Sequence, residues 1–94
     1  MDFSDKDQLK EIDQHIGRRI RHLRKTYGLS QSDFGQYLGV SFQQIQKYEN
    51  GTNRCPVSRL YALCQILEVD IQYSFSGFET QNLNQKITSF KRGI

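Results

Sequence analysis

Residues 29–51 read LSQSDFGQYLGVSFQQIQKYENG, and this stretch decides the fold. It holds two short runs, each opened by a serine, with a glycine between them. Ser30 can cap the first run, with Asp33 at its third helical position. Phe34 and Leu38 supply that helix's buried face, and Gly35, with no side chain, lets another helix approach closely. Gly39 ends the run in a conformation that a bulky residue resists. Ser41-x-x-Gln44 reads as a second capping box, with Gln44 returning to the Ser41 N–H. Ile45 and Tyr48 are then the inward residues of the second helix, and Asn50-Gly51 ends it. The spacing predicts two short helices joined by a tight glycine turn.

Outward from this core, helical periodicity continues. Ile12, Ile16, Ile20, Leu23 and Tyr27 form one apolar stripe, which predicts a helix over 13–27 closed by Gly28 in a left-handed cap. Ser4-x-x-Asp7 resembles a capping box and allows an earlier start. Beyond Gly51, residues 52–55 are a polar loop, and Pro56 suits the first turn of a fourth helix. Leu60, Leu63, Cys64 and Leu67 face inward on it. Residues 69–78 are ambiguous, because Ile71, Tyr73 and Phe75 alternate like a strand while Ile71 and Phe75 are also four apart. A lone strand has nothing to pair with in a helical chain, so a short fifth helix is expected. The tail from Glu79 is polar and reads as disordered, although Leu83, Ile87, Phe90 and Ile94 could form a short amphipathic C-terminal helix if packed on something. The chain thus divides into an acidic extension (1–12), a helical domain (13–78) and a polar tail or arm (79–94).

Ninety-four residues make one domain near the lower limit for a self-sufficient core. No apolar run spans a bilayer and no signal-peptide pattern is present, so a cytoplasmic location and no membrane partner are expected. Cys55 and Cys64 are expected to be reduced thiols. No Cys or His spacing suggests zinc, and no metal or cofactor is expected. The net charge of +3 is unevenly spread. Residues 1–16 carry −3, residues 17–59 carry +6 and residues 60–94 are balanced. Concentrated positive charge suits a polyanionic partner, though a solvated helix surface accounts for it equally well.

Residues from about Ile16 to Phe75 resemble the phage-repressor-like helix-turn-helix family, the Cro/CI or XRE-like type. The resemblance rests on Gln31, Gly39, Ile45 and the run Tyr48-Glu49-Asn50-Gly51 at fixed spacing. It implies an all-α, compact five-helix bundle of the lambda-repressor type. One departure is Gly35, where the family more often has alanine. The resemblance also implies a partly buried ion pair between Arg24 and Glu49, and, for Gln31 at the start of the second helix, a phosphate bond together with the option of bracing a residue of the third helix.

The residue types suit reading duplex DNA. Gln43, Gln46 and Lys47 share the face opposite Ile45 and Tyr48. A glutamine amide pairs with adenine N6 and N7, and lysine donates to guanine O6 and N7. Phe42 begins the helix, where it either meets a thymine methyl or folds back onto the helix. Base contacts are therefore expected from Phe42, Gln43, Gln46 and Lys47. Phosphate contacts are expected from Gln31 and Ser41 at the helix starts and from Asn50, Thr52, Asn53 and Arg54 after the third helix. Of Arg18, Arg19 and Arg21, some must point away, since consecutive helix positions fan around the axis.

One such domain covers few base pairs, so a homodimer on a palindromic operator is expected. Leu67, Ile71, Tyr73, Phe75 and Phe78 are its candidate interface, with burial inside the monomer as the alternative. The expected function is a transcriptional regulator, most often a repressor, that binds double-stranded DNA. One rival is an antitoxin whose tail or arm covers a toxin. Another is a protein–protein adaptor, against which Gln43, Gln46 and Lys47 argue. An enzyme is a third; His15 and His22 lie seven apart, but no nucleophile or carboxylate stands beside them, and ordinary surface histidines are expected.

Overall fold

The computed structural model describes residues 5–77, which form four α-helices and a 3-10 turn with no strand among them. Helix α1 spans Lys6–Thr26. It begins earlier than the stripe from Ile12 requires because Asp5 caps it by accepting from the Asp7 N–H at 2.8 Å; Ser4 lies outside the described residues. Residues 6–12 are therefore its first turns. Asp7 near its start and Arg24 and Lys25 near its end complement the helix dipole. Ile20 and Leu23 bury the stripe, with Ile16 packed beside them.

Helices α2 (Gln31–Leu38) and α3 (Phe42–Asn50) follow the predicted punctuation. Ser30 and Asp33 make both bonds of the capping box, at 3.0 and 2.8 Å. Gly39 turns the chain with φ 69°, where a side chain would strain the backbone. Gly35 is required by a closer neighbour than a helix: a Cβ there would sit 2.5 Å from the Val40 carbonyl oxygen of the turn itself. At α3 only half of the predicted box forms. Ser41 Oγ accepts from the Gln44 N–H at 3.1 Å, but the Gln44 side chain does not return the bond. Gln44 instead lines an open groove with Ser41, Thr52 and Asn53.

Helix α4 spans Val57–Ile66, and Pro56 stands at its N-cap rather than inside its first turn. The expected fifth helix is a single 3-10 turn, η1 (Ile71–Phe75), started by the Asp70 side chain accepting from the Gln72 N–H. The core is Ile20, Leu23, Phe34, Ile45, Tyr48, Leu60 and Leu63, drawn from all four helices. Each such side chain contributes roughly 1.5–3 kcal/mol on burial.

The seating of α1 on α3 is the contact that sequence reading overlooked. Gly17 is buried against the end of α3. A Cβ there would collide with the Tyr48 carbonyl and lie 2.6 Å from that of Glu49. Two backbones thus meet with nothing between them, which sets the height of α3 on the bundle.

Candidate nucleic-acid interface

Helix α3 presents two faces of different character. Ile45 and Tyr48 are buried, and Arg59 donates to the Tyr48 hydroxyl at 3.3 Å. Gln43, Gln46 and Lys47 are exposed, and no hydrogen bond or ion pair within the described residues engages their head groups. Phe42 is 47% exposed, so it is not folded away into the core. The apolar anchors hold the rod, and the amide-bearing side is left open.

The end of α3 is clamped by charge. Arg24 donates from Nε to Glu49 Oε2 at 2.7 Å and from Nη2 to Oε1 at 3.0 Å. Its third nitrogen, Nη1, donates to the Leu29 carbonyl at 3.0 Å. Gln31 Nε2 donates to Glu49 Oε1 at 3.3 Å. The Glu49 side chain is only 2% exposed, so the low local dielectric strengthens these bonds. The Glu49 carboxylate raises the Arg24 pKa further above its ordinary value. One guanidinium therefore joins α1, the approach to α2 and the end of α3. Gln31, placed in sequence as a phosphate ligand, has its amide engaged in this clamp.

The remaining phosphate candidates gather on one side. Ser41, Thr52, Asn53 and Arg54 line the groove beside Gln44, together with Arg59, which the sequence reading did not single out. Asn50 is exposed next to them. Arg54 is 66% exposed and pairs with Asp13 at 3.2 Å. Of the arginines on α1, Arg18 and Arg21 are exposed. Arg19 does another job. It stacks over the Tyr73 ring at 4.0 Å and donates to the Tyr73 carbonyl at 3.2 Å and to Ser76 Oγ at 2.7 Å, pinning η1 to α1.

His15 and His22 belong to that same junction. A His15 ring nitrogen lies 2.9 Å from the Ser76 carbonyl, and His22 stacks on Tyr73. Leu67, Ile71 and Tyr73, candidates for a dimer surface, are partly buried and pack against the core. Phe75 is 46% exposed, as are Ile66 and Tyr61 of α4 to similar degrees. Phe78 and the residues 79–94 lie outside the described residues. Cys55 and Cys64 are free thiols, and burial pushes the Cys55 pKa up to about 11. No helix among the described residues is long and apolar enough to cross a membrane, and no group of metal-ligating side chains occurs among them.

A helix-turn-helix family model matches residues 20–74, which is more than half of the chain. This chain belongs to the helix-turn-helix family. It is 46% identical over 79 residues to an uncharacterized transcriptional regulator in the ATPase CF(0) region of Rhodospirillum rubrum, covering 84% of this chain and 73% of that protein. It is 49% identical over 73 residues to an uncharacterized HTH-type transcriptional regulator of Sinorhizobium medicae, covering 78% of this chain and only 52% of that protein. The antitoxin PezA of Streptococcus pneumoniae is 37% identical over 54 residues, or 57% of this chain and 34% of the antitoxin. Among solved structures, the restriction-modification controller protein C.AhdI of Aeromonas hydrophila superposes with a TM-score of 0.64. It covers 69% of this chain and 94% of its own at 22% identity, a likeness of fold.

Proposed function

We propose that this chain is a sequence-specific regulator of transcription that binds double-stranded DNA through α3. The observation that carries the reading is the open face of Gln43, Gln46 and Lys47 on a helix fixed from behind by Ile45, Tyr48 and the Arg24–Glu49 clamp. Preorganised amides at that face suit base edges, and each good bidentate pair is worth about 1–3 kcal/mol of discrimination. Phe42, exposed at the helix start, is suited to a thymine methyl. Ser41, Asn50, Thr52, Asn53 and Arg54, gathered to one side of α3, supply phosphate contacts, with Gln31 adding one only if its amide leaves Glu49. The regulator names carried by the Rhodospirillum and Sinorhizobium relatives support this reading.

The protein acts in the cytoplasm as a homodimer on a palindromic operator, and represses by occupying promoter DNA. Exposed Phe75 and the partly buried Leu67, Ile71 and Tyr73 supply the apolar surface for that pairing. A second reading is an antitoxin that uses the same module, favoured by the stretch shared with PezA. Selection of bound sequences from a random duplex pool tests the function. The expected result is an inverted repeat with half-sites one helical turn apart, roughly 34 Å. A pool that stays unenriched at low ionic strength overturns it.

A further inference from the structure

Counted along the sequence, the first sixteen residues are acidic, yet folding sorts their charges onto different faces. A cleft runs between the first turns of α1 and the loop after α3. Lys6, Lys10 and Asp13 form one wall, and Asn50, Thr52 and Arg54 form the other. Asp5, Asp7 and Glu11 do not line it. The cleft therefore carries three cations and one carboxylate, the reverse of the segment's overall charge. Lys6 and Lys10 stand one turn apart, a spacing at which like charges repel and destabilise a helix. Asp13 is the acid that lines the cleft, and it is already paired with Arg54. A bound anion relieves that repulsion.

The cleft's walls are held in place. A Cβ at Gly51 would lie 2.6 Å from Gln14 Cγ and 2.8 Å from Gln14 Cα, so α1 rests directly on the cap of α3. The cleft is also continuous with the groove beside α3, because Thr52 and Arg54 line both. A continuous path thus leads from Ser41 and Gln44, over the loop, to the two lysines, with Leu9 between them.

We infer that Lys6 and Lys10 extend the interface by binding backbone phosphates of the duplex next to those met by Thr52 and Arg54. This rests on the reading of α3 as the DNA-contacting helix. Phosphate binding has a signature that a structural role lacks. Each neutralised phosphate steepens the fall of log affinity with log salt by about 0.9. The double variant Lys6→Gln/Lys10→Gln keeps the helix formers and removes both charges. It is titrated against wild type, from 50 to 200 mM salt, with a duplex recovered by the selection and with a random duplex.

The expected result is a slope lower by about 1.8 per bound protomer, which corresponds to roughly a ten-fold smaller affinity loss across that salt range. The reduction should be equal on both duplexes, because phosphates carry no sequence, and the urea midpoint should be equal to or slightly above that of wild type, because the lysine–lysine repulsion is removed. An unchanged slope, with wild type binding normally, overturns the inference and leaves the reading of α3 intact. So does a lower slope on the selected duplex only. Failure of wild type to bind any duplex at 50 mM salt overturns the reading of α3 itself.

Discussion

Two arginine–carboxylate pairs fasten α1 to the end of α3, and they do opposite things. Arg24–Glu49 is bidentate, with the side chains 13% and 2% exposed, and is closed by Gln31. Arg54–Asp13 reaches 3.2 Å from one guanidinium nitrogen, with Arg54 66% exposed. The chemistry of the partners is the same. Desolvation and bidentate geometry make the first pair a brace, and their lack makes the second an exchangeable contact. A buried pair cannot lose one member without stranding a charge, whereas an exposed arginine trades a carboxylate for a phosphate at little cost.

The largest effect follows from breaking the buried pair. Arg24→Ala should destabilise the fold by about 3–5 kcal/mol, read as a lower urea midpoint with an unchanged slope. A midpoint equal to wild type would mean that Glu49 finds water in solution. Gly17→Ala comes next. Helix propensity alone predicts a gain of about 1 kcal/mol, but the added methyl meets the backbone of Tyr48 and Glu49. The expected outcome is a loss of about 1–3 kcal/mol, with α3 displaced and base discrimination weakened. A gain in stability would show that α1 and α3 separate without penalty.

Gln43→Ala touches neither pair and should leave stability unchanged while relaxing discrimination by about 1–3 kcal/mol at particular base positions. Uniform loss across all sequences would move Gln43 to the phosphate class. Arg54→Ala should cost little stability, about 0–1 kcal/mol. Its mark should be on binding instead, as a drop of about 0.9 in the salt slope on every duplex. A destabilisation as large as that of Arg24→Ala would erase the contrast between the pairs.

Local chemistry made much of this legible in the sequence. Ser30 with Asp33, Ser41 as a cap and Gly39 at the turn each act within three or four residues, so spacing alone places α2, α3 and the turn. The inward pair Ile45 and Tyr48 and the open side of Gln43, Gln46 and Lys47 follow from helical periodicity. Resemblance to a known family supplied the pairing of Arg24 with Glu49, which no local rule contains. The short fifth helix expected within residues 69–78 is only the 3-10 turn η1, which is too short for periodicity to measure and is held from outside by Arg19 and Ser76.

What the chain determined by itself was therefore its helices, their caps and which side of α3 faces away from the core, since these depend on neighbours a turn apart. Only the tertiary structure decided that Gly17 must be bare, that Asp13 meets Arg54, that Gln44 lines the groove and that Lys6 and Lys10 face the loop after α3. The Gln44 groove depends on how the loop after α3 and α4 fold beside that helix; the others depend on how closely α1 and the α2–α3 unit pack, and that distance is set by backbone contact between segments about thirty or more residues apart, which no periodicity encodes.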